Sequence, residues 1–84
     1  MKLHELKIKE EYACAKFYGK KLFEIRKNDR RFNVGDIVRY KVICKEGKEP
    51  VYKLIEEKLF EITYITDYEQ KPGFIVFGEK EVTL

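Results

Sequence analysis

The sequence predicts a small α+β domain in which one mostly antiparallel sheet curls into a barrel. The chain has 84 residues, which is the size of a single domain. Short segments alternate apolar and polar side chains and end at turn residues, as strands do. One segment near the start instead repeats apolar residues every four positions, as a helix does. We therefore expect one domain over residues 1–84, with about five strands and one or two short helices.

Five segments have the strand pattern: residues 3–8, 22–27, 37–44, 59–66 and 74–77. In the fourth segment, Phe60, Ile62 and Tyr64 are predicted to share one face, because strand side chains alternate. The fifth is a continuous apolar run from Phe74 to Phe77, which is typical of a strand buried on both sides. The sequence therefore predicts a sheet in which some strands are buried on one face and at least one is buried on both.

The remaining segments connect these strands. Residues 10–18 are predicted to form the helix, with Gly19 as its C-terminal stop. Residues 45–50 form a loop, and residues 51–58 fit either a strand edge or a helical turn. The helix is expected to lie against the opening of the barrel.

Charge is distributed unevenly along the chain. The formal net charge is only +3, but residues 1–45 carry +7 and residues 46–84 carry −4. All four arginines lie between residues 26 and 39. This asymmetry favours an anionic ligand such as a nucleic acid.

Composition argues against several other classes. No run approaches the ~18 apolar residues of a membrane-spanning helix, and the start lacks the apolar stretch of a signal peptide. Cys14 and Cys44 are 30 positions apart and the chain has one His, which argues against a zinc site. We expect two free thiols, a cytoplasmic protein, no metal, no cofactor and no membrane partner.

Residues 19–26, Gly-Lys-Lys-Leu-Phe-Glu-Ile-Arg, bring three charged side chains close together. Glu24 and Arg26 share a strand face about 7 Å apart, and Lys21 just before the strand can reach the same region. Such a group can bind an anion through the guanidinium fork, or run acid–base chemistry if Lys21 loses its proton. It can equally form a salt-bridged surface without further function.

This segment resembles the G-x-K-x-x-E-x-R signature of the ASCH (activating signal cointegrator homology) domains, which belong to the PUA-like superfamily. The matching positions are Gly19, Lys21, Glu24 and Arg26. Flanking segments also resemble, in the same order, a small bacterial and phage ASCH-type family: residues 4–7, 33–36, 64–67 and 72–73. The resemblance implies a PUA-like β-barrel and a cleft near the motif for RNA or a nucleotide-like ligand.

A second expectation follows from the same resemblance, because some small relatives hydrolyse the N4-acyl group of modified cytidine. In those enzymes a Lys acts with a Thr three residues later and a Glu far downstream. Here Lys21 is present, Glu24 replaces the Thr, and Asp67 or Glu69 is the candidate downstream carboxylate. The sequence therefore favours a binding module, with an amidohydrolase using Lys21 and Glu24 as the alternative and a purely protein-interaction role third.

The candidate RNA-contacting residues fall into two groups. The first is a basic cluster, for which we expect phosphate contact: Lys16, Lys20, Lys21, Arg26, Lys27, Arg30 and Arg31. Interleaved aromatic residues can stack on bases but fit a core role better: Phe17, Tyr18, Phe23 and Phe32. The second group lies where a strand ends and the chain turns, and consists of Tyr64, Asp67, Tyr68 and Gln70. Asp67 or Gln70 can read a base edge there, or the segment merely forms a polar loop. The oligomeric state stays open.

Overall fold

The structure is a computed structural model that describes residues 1–44 and 53–83. These residues form five strands, an α-helix and a 3₁₀ helix: β1 (Leu3–Lys9), α1 (Glu10–Phe17), β2 (Phe23–Lys27), β3 (Ile37–Ile43), the 3₁₀ helix (Lys53–Glu57), β4 (Leu59–Thr66) and β5 (Phe74–Val82). The α+β class is confirmed. The loop expected at 45–50 and the first two residues of the ambiguous segment 51–58 lie outside the described residues. Neither described helix has the length and apolar composition needed to cross a bilayer.

The strands form one sheet in the order β1-β3-β4-β5-β2. β1 and β3 are parallel and the other three pairs are antiparallel, which confirms the mostly antiparallel prediction. The sheet curls into a half-barrel that brings its two edge strands, β1 and β2, near each other. We call the gap between these two strands the seam.

Arginine side chains bridge the seam in the place of a backbone ladder. Arg26 Nη2 donates to the carbonyl of Lys7 at 2.7 Å, and Arg30 Nη1 donates to the carbonyl of Glu5 at 2.8 Å. Both acceptors are on β1, whose ladder is formed with β3. These bonds therefore fix the distance between the two edges without joining them into a closed barrel.

The core lies on the concave face of the sheet. Alternate residues of each strand point there, and the largest fully buried side chains are Tyr40, Phe60, Phe77, Ile55, Ile62 and Val38. The helix α1 covers one opening, with contacts to β1, β3 and the 3₁₀ helix. Its buried residues are Ala13 and, unexpectedly for a charged side chain, Lys16.

The prediction that Phe60, Ile62 and Tyr64 share one face is wrong at Tyr64. The register of β4 against β5 shifts between Ile62 and Tyr64, so that Tyr64 pairs with Gly78. A bulge of this kind re-aims the side chains that follow it. Tyr64 is consequently 69% exposed, whereas Phe60 and Ile62 are buried.

The prediction that the run from Phe74 to Phe77 is buried on both sides is also wrong. Ile75 and Phe77 are buried, but Phe74 is exposed and Val76 is half-buried. The helix α1 packs against β1, β3 and the 3₁₀ helix rather than against this side of β5. The outer face of the sheet therefore keeps apolar side chains in contact with water.

A buried polar cluster fixes the turn before β3. The carboxylate of Asp36 accepts hydrogen bonds from the backbone amides of Lys2 and Asn33, each at 3.0 Å, and lies 2.8 Å from His4 Nε2. Burial opposes ionisation of Asp36, but these donors outweigh it and hold its pKa below the ordinary value. The cluster ties the start of β1 to the turn.

We expect Asp36→Asn to lower the free energy of unfolding at pH 7 by about 1–3 kcal/mol, because a buried hydrogen-bonded charge is lost. Since the folded pKa lies below the unfolded value of 3.8, this contribution is present above that value and disappears as pH falls through the folded pKa. Urea denaturation of both proteins from pH 7 downwards measures it. Exposed Asp29→Asn is the control, expected within ~0.5 kcal/mol of wild type. A pH-independent gap between wild type and Asp36→Asn contradicts the assignment.

Candidate functional site

A cleft of about 540 Å³ opens at the seam. Strands β1 and β2 form its two walls, and α1 and the end of β3 complete it. Its lining residues are Lys7, Ile8, Lys9, Tyr12, Lys21, Phe23, Glu24, Ile25, Arg26 and Ile43. The volume is within the range of about 300–1,000 Å³ that is usual for small-molecule sites. We refer to this feature as the cleft.

The turn after α1 directs the motif into the cleft. Gly19 has φ +73°, a left-handed conformation that side-chain-bearing residues rarely adopt, and nothing lies near the place where a Cβ would be. The amides of Lys20 and Lys21 then donate to the carbonyl of Ala15, at 2.8 and 3.2 Å. Glycine is therefore required here for its backbone conformation, and the turn places Lys21 at the cleft.

Glu24 lies at the bottom of the cleft and is saturated with donors. Its Oε2 accepts from Lys21 Nζ at 2.5 Å and pairs with Lys16 Nζ at 3.0 Å. Its Oε1 accepts from Arg26 Nε at 3.2 Å and Nη2 at 3.0 Å. A carboxylate offers about four lone-pair positions, and all four are used. Burial opposes its ionisation, yet Lys16 and Lys21 outweigh burial and lower the pKa of Glu24.

Lys16 is buried beneath this carboxylate, so the expectation that it contacts phosphate is wrong. Only 2% of the residue is exposed. Its ammonium pairs with Glu24 and with Glu79, and it donates to the carbonyl of Lys21 at 3.3 Å. The three N–H donors of an ammonium are thereby all engaged. Lys16 instead anchors the last turn of α1 to the sheet.

Glu79 completes the buried cluster below the cleft. Its Oε1 accepts from Lys16 and from the hydroxyl of Tyr40, the latter at 2.7 Å. Its Oε2 is buried and has no hydrogen-bond partner among the described residues. Burial raises the pKa of Glu79, and the negative charge of Glu24 raises it further. The positive charge of Lys16 acts in the opposite direction but does not outweigh them. Burial and the neighbouring carboxylates likewise raise the pKa of Tyr40, which therefore acts only as a hydrogen-bond donor.

Several donors in the cleft remain unused by the described chain. Lys21 spends two N–H groups on Glu24 and the carbonyl of Phe23, which leaves one. Arg26 uses Nε and Nη2, which leaves the two N–H groups of Nη1. Lys7 and Lys9 are exposed and form no ion pair with the described residues. These unused N–H groups suit the binding of an anion. Within residues 1–44 and 53–83 no group of three or more His, Cys, Asp or Glu side chains could hold a metal ion.

The other sequence-predicted residues lie outside the cleft lining. Four of the predicted basic side chains are exposed and do not line it: Lys20, Lys27, Arg30 and Arg31. Arg30 is committed to the carbonyl of Glu5, and Tyr64 lies on the outer face of the sheet. Asp67 and Gln70 lie between β4 and β5, where Gln70 donates to the carbonyl of Tyr68. The structure therefore brings together Lys21, Glu24 and Arg26 but not the second predicted group.

Sequence reasoning missed four residues of the site and its support. Lys7 and Lys9 alternate with buried Ile8 on β1, but only the curl of the sheet carries them to the motif. Tyr12 of α1 also lines the cleft, because the helix packs beside the motif only in the folded protein. Glu79 is a buried carboxylate below the cleft, whereas Asp67 and Glu69, the downstream carboxylates suggested from the sequence, are both exposed. The sequence gives no clear signal for it, because Glu79 stands next to Lys80 and Glu81 in the polar second half of β5.

Comparison of the sequence with models of protein families identifies one family. The model of the family described as Domain of unknown function (DUF3850) matches residues 3–78 of the 84. The match includes β1, the motif and all the residues that line the cleft. No curated protein matches the chain.

Proposed function

Because the chain belongs to this DUF3850 family, whose description names no activity, we propose its function from the cleft itself. The cleft binds single-stranded RNA or a nucleotide-like ligand, with a phosphate held between Lys21 and Arg26. The observation that carries this proposal is the saturation of Glu24, which orients both cations and leaves their remaining N–H groups unused. Kinship with the ASCH domains of the PUA-like superfamily is part of the same proposal.

The charge of the cleft favours phosphate. Four cationic side chains line it against the single carboxylate of Glu24: Lys7, Lys9, Lys21 and Arg26. The three N–H groups left on Lys21 and Arg26 can all donate to phosphate oxygens, and such charge-assisted bonds are stronger than neutral ones. Glu24 itself is excluded as a ligand for a hydroxyl or base edge, because its lone pairs are filled.

The walls of the cleft favour a nucleotide over a bare anion. Tyr12, Phe23, Ile25 and Ile43 present partly exposed apolar surface beside the cations. Bases stack on aromatic faces whatever their sequence, which is how many proteins hold single-stranded RNA. A concave cleft takes an unstacked nucleotide, whereas the bases of an A-form duplex are hidden in a deep groove.

The amidohydrolase alternative has less support. The lining residues include no Ser or Thr hydroxyl to act as nucleophile, and the lowered pKa of Glu24 makes it a weak base. Incubation with N4-acetylcytidine and detection of released acetate tests it, and turnover lost in Lys21→Ala would favour the enzyme. Neither Cys14 nor Cys44 forms a disulfide within the described residues, which suits a reducing compartment, so we propose that the protein acts in the cytoplasm.

Fluorescence-anisotropy titrations with a labelled single-stranded RNA test the binding proposal. About 3–5 phosphate contacts predict a log–log salt slope of roughly −2 to −3.5, so affinity falls about 16- to 130-fold between 50 and 200 mM salt. We expect Lys9→Ala to reduce the magnitude of the slope by ~0.7. Exposed Lys71, between β4 and β5, provides the matched control Lys71→Ala, which should leave the slope unchanged. Salt-independent binding, or a preference for the matched duplex, contradicts the proposal.

A further inference from the structure

We propose that the outer face of the sheet beside the cleft holds a nucleobase between the rings of Phe23 and Tyr64. This inference rests on the proposed RNA-binding function and adds a second contact to it. We call the space between these two rings the slot. The slot assigns a role to Tyr64, which does not line the cleft, and pairs it with Phe23, which does.

The sheet register places the two rings on either side of a glycine. Phe23 of β2 pairs with Gly78 of β5, and Gly78 pairs with Tyr64 of β4. Residues that pair directly across strands project from the same face of a sheet. Phe23 and Tyr64 therefore project from one face, two strand spacings apart, which is about 9–10 Å.

This spacing suits one base between two rings. Stacked bases lie about 3.4 Å apart, so a base stacked on both sides needs about 7 Å between ring planes. Starting from the backbone spacing of about 9–10 Å, the two rings need to approach each other by about 2–3 Å, which rotation about their side-chain torsions allows. A single planar ring fits this space, whereas an α-helix of a protein partner, about 10–12 Å across with its side chains, does not.

Gly78 keeps the bottom of the slot open. A Cβ built there would lie 3.2 Å from Thr63 Oγ1 and 4.0 Å from the carbonyl oxygen of Leu22. Any side chain at this position would thus crowd the space between the rings. The glycine also leaves the Thr63 hydroxyl next to the bottom of the slot, where it can donate to or accept from a base edge.

The β4 bulge is the feature that exposes Tyr64. Without the register shift after Ile62, strand alternation would turn Tyr64 toward the core. With it, Tyr64 is 69% exposed and Phe23 is 44% exposed. Bulges often re-aim a side chain next to a functional site. Phe23 and Tyr64 are thus two exposed aromatic side chains in the same cross-strand row of one sheet face. Stacking on a base is the simplest function for such a pair.

The slot is continuous with the cleft. Phe23 lines the cleft, and its ring centroid lies 4.9 Å from Lys21 Nζ, the proposed phosphate ligand. A phosphate at Lys21 and a base beside Phe23 are therefore neighbouring positions on one strand of RNA. Apolar Ile25, 58% exposed, extends the same face along β2. This continuity favours a nucleobase of the bound RNA as the occupant.

Tyr64→Ala tests the slot, with Tyr68→Ala as the matched control. Tyr68 is 76% exposed and lies in the turn after β4, away from the slot. Loss of one stacked base should weaken binding of a labelled single-stranded RNA about 5- to 100-fold, while the salt slope of the cleft stays the same. Gly78→Ala should weaken binding in the same direction. Tyr68→Ala should bind like wild type.

The outcomes separate the slot from the cleft. If Tyr64→Ala binds like wild type while Lys9→Ala reduces the salt slope, the slot is overturned and the cleft remains. If wild type binds no RNA at millimolar concentration, both are overturned. If sedimentation velocity shows self-association of wild type that Tyr64→Ala abolishes, this face is an interface between copies of the chain and the slot is again overturned. Circular dichroism of each variant confirms that it is folded.

Discussion

Replacing Lys16 with methionine is expected to lower the free energy of unfolding by about 3–5 kcal/mol. The side chain is fully buried and pairs with both Glu24 and Glu79, so its removal leaves two carboxylates without their shared cation in the core. Breaking a buried ion pair on one side has a cost of this size. A small domain has only about 5–15 kcal/mol to lose, so the variant should be near the limit of folding. Urea denaturation followed by circular dichroism measures the change.

Two controls make this result specific to the buried charges. In Lys16→Met combined with Glu79→Gln, one uncompensated charge is gone and part of the lost stability should return. Because the folded pKa of Glu79 already lies above 4.5, its ionisation destabilises the fold as pH rises above that value. The single variant should therefore gain stability, relative to wild type, as pH is lowered from 7 to 5. A loss below 1 kcal/mol, or no recovery in the double variant, contradicts the arrangement.

Arg26→Ala is expected to have the second-largest effect, and on two properties at once. The guanidinium binds Glu24 and also the carbonyl of Lys7 across the seam, so we expect the free energy of unfolding to fall by about 1.5–3 kcal/mol. The loss of the Nη1 donors should weaken binding of single-stranded RNA at least tenfold. Urea denaturation and anisotropy titration measure the two effects separately.

Arg26→Lys is the informative comparison. It keeps the charge but cannot reach Glu24, Lys7 and a phosphate together, because an ammonium lacks the planar fork. We expect it to retain the salt slope of wild type while binding RNA more weakly. Equal affinity of Arg26→Lys and wild type would mean that position 26 contributes only charge and that the fork geometry is irrelevant.

Local alternation predicts most of the fold and the core of the site. The period-two pattern places Glu24 and Arg26 on one face of β2, and the left-handed turn that Gly19 permits brings Lys21 beside them. These features depend on residues within one short segment. Sequence reasoning succeeds there because neighbouring residues determine both the turn and the face.

What sequence reasoning misses depends on contacts between distant segments. From the sequence, Arg26 looks like a surface charge whose removal costs at most ~0.5 kcal/mol. Its bond to Lys7 arises only because the sheet curls until β1 and β2 meet. Lys16 looks like one more member of the phosphate-contacting cluster, because its partner Glu79 lies 63 positions later in the chain. The bulge that exposes Tyr64 turns Ile65 toward the core in its place, and the adjacent apolar pair Tyr64-Ile65 does not by itself show which of the two is buried.

The central claim is that RNA binds at the cleft, and chemical-shift mapping on the ¹⁵N-labelled protein tests it most directly. Titration with a short single-stranded RNA should shift the amides of Lys7, Lys9 and residues 21–26 first and most strongly, with Gly78 and Tyr64 following. The experiment uses the folded wild-type protein throughout, so no variant has to be checked for folding. Shifts confined to surfaces away from the cleft, or no shifts with millimolar RNA at low salt, would contradict the claim.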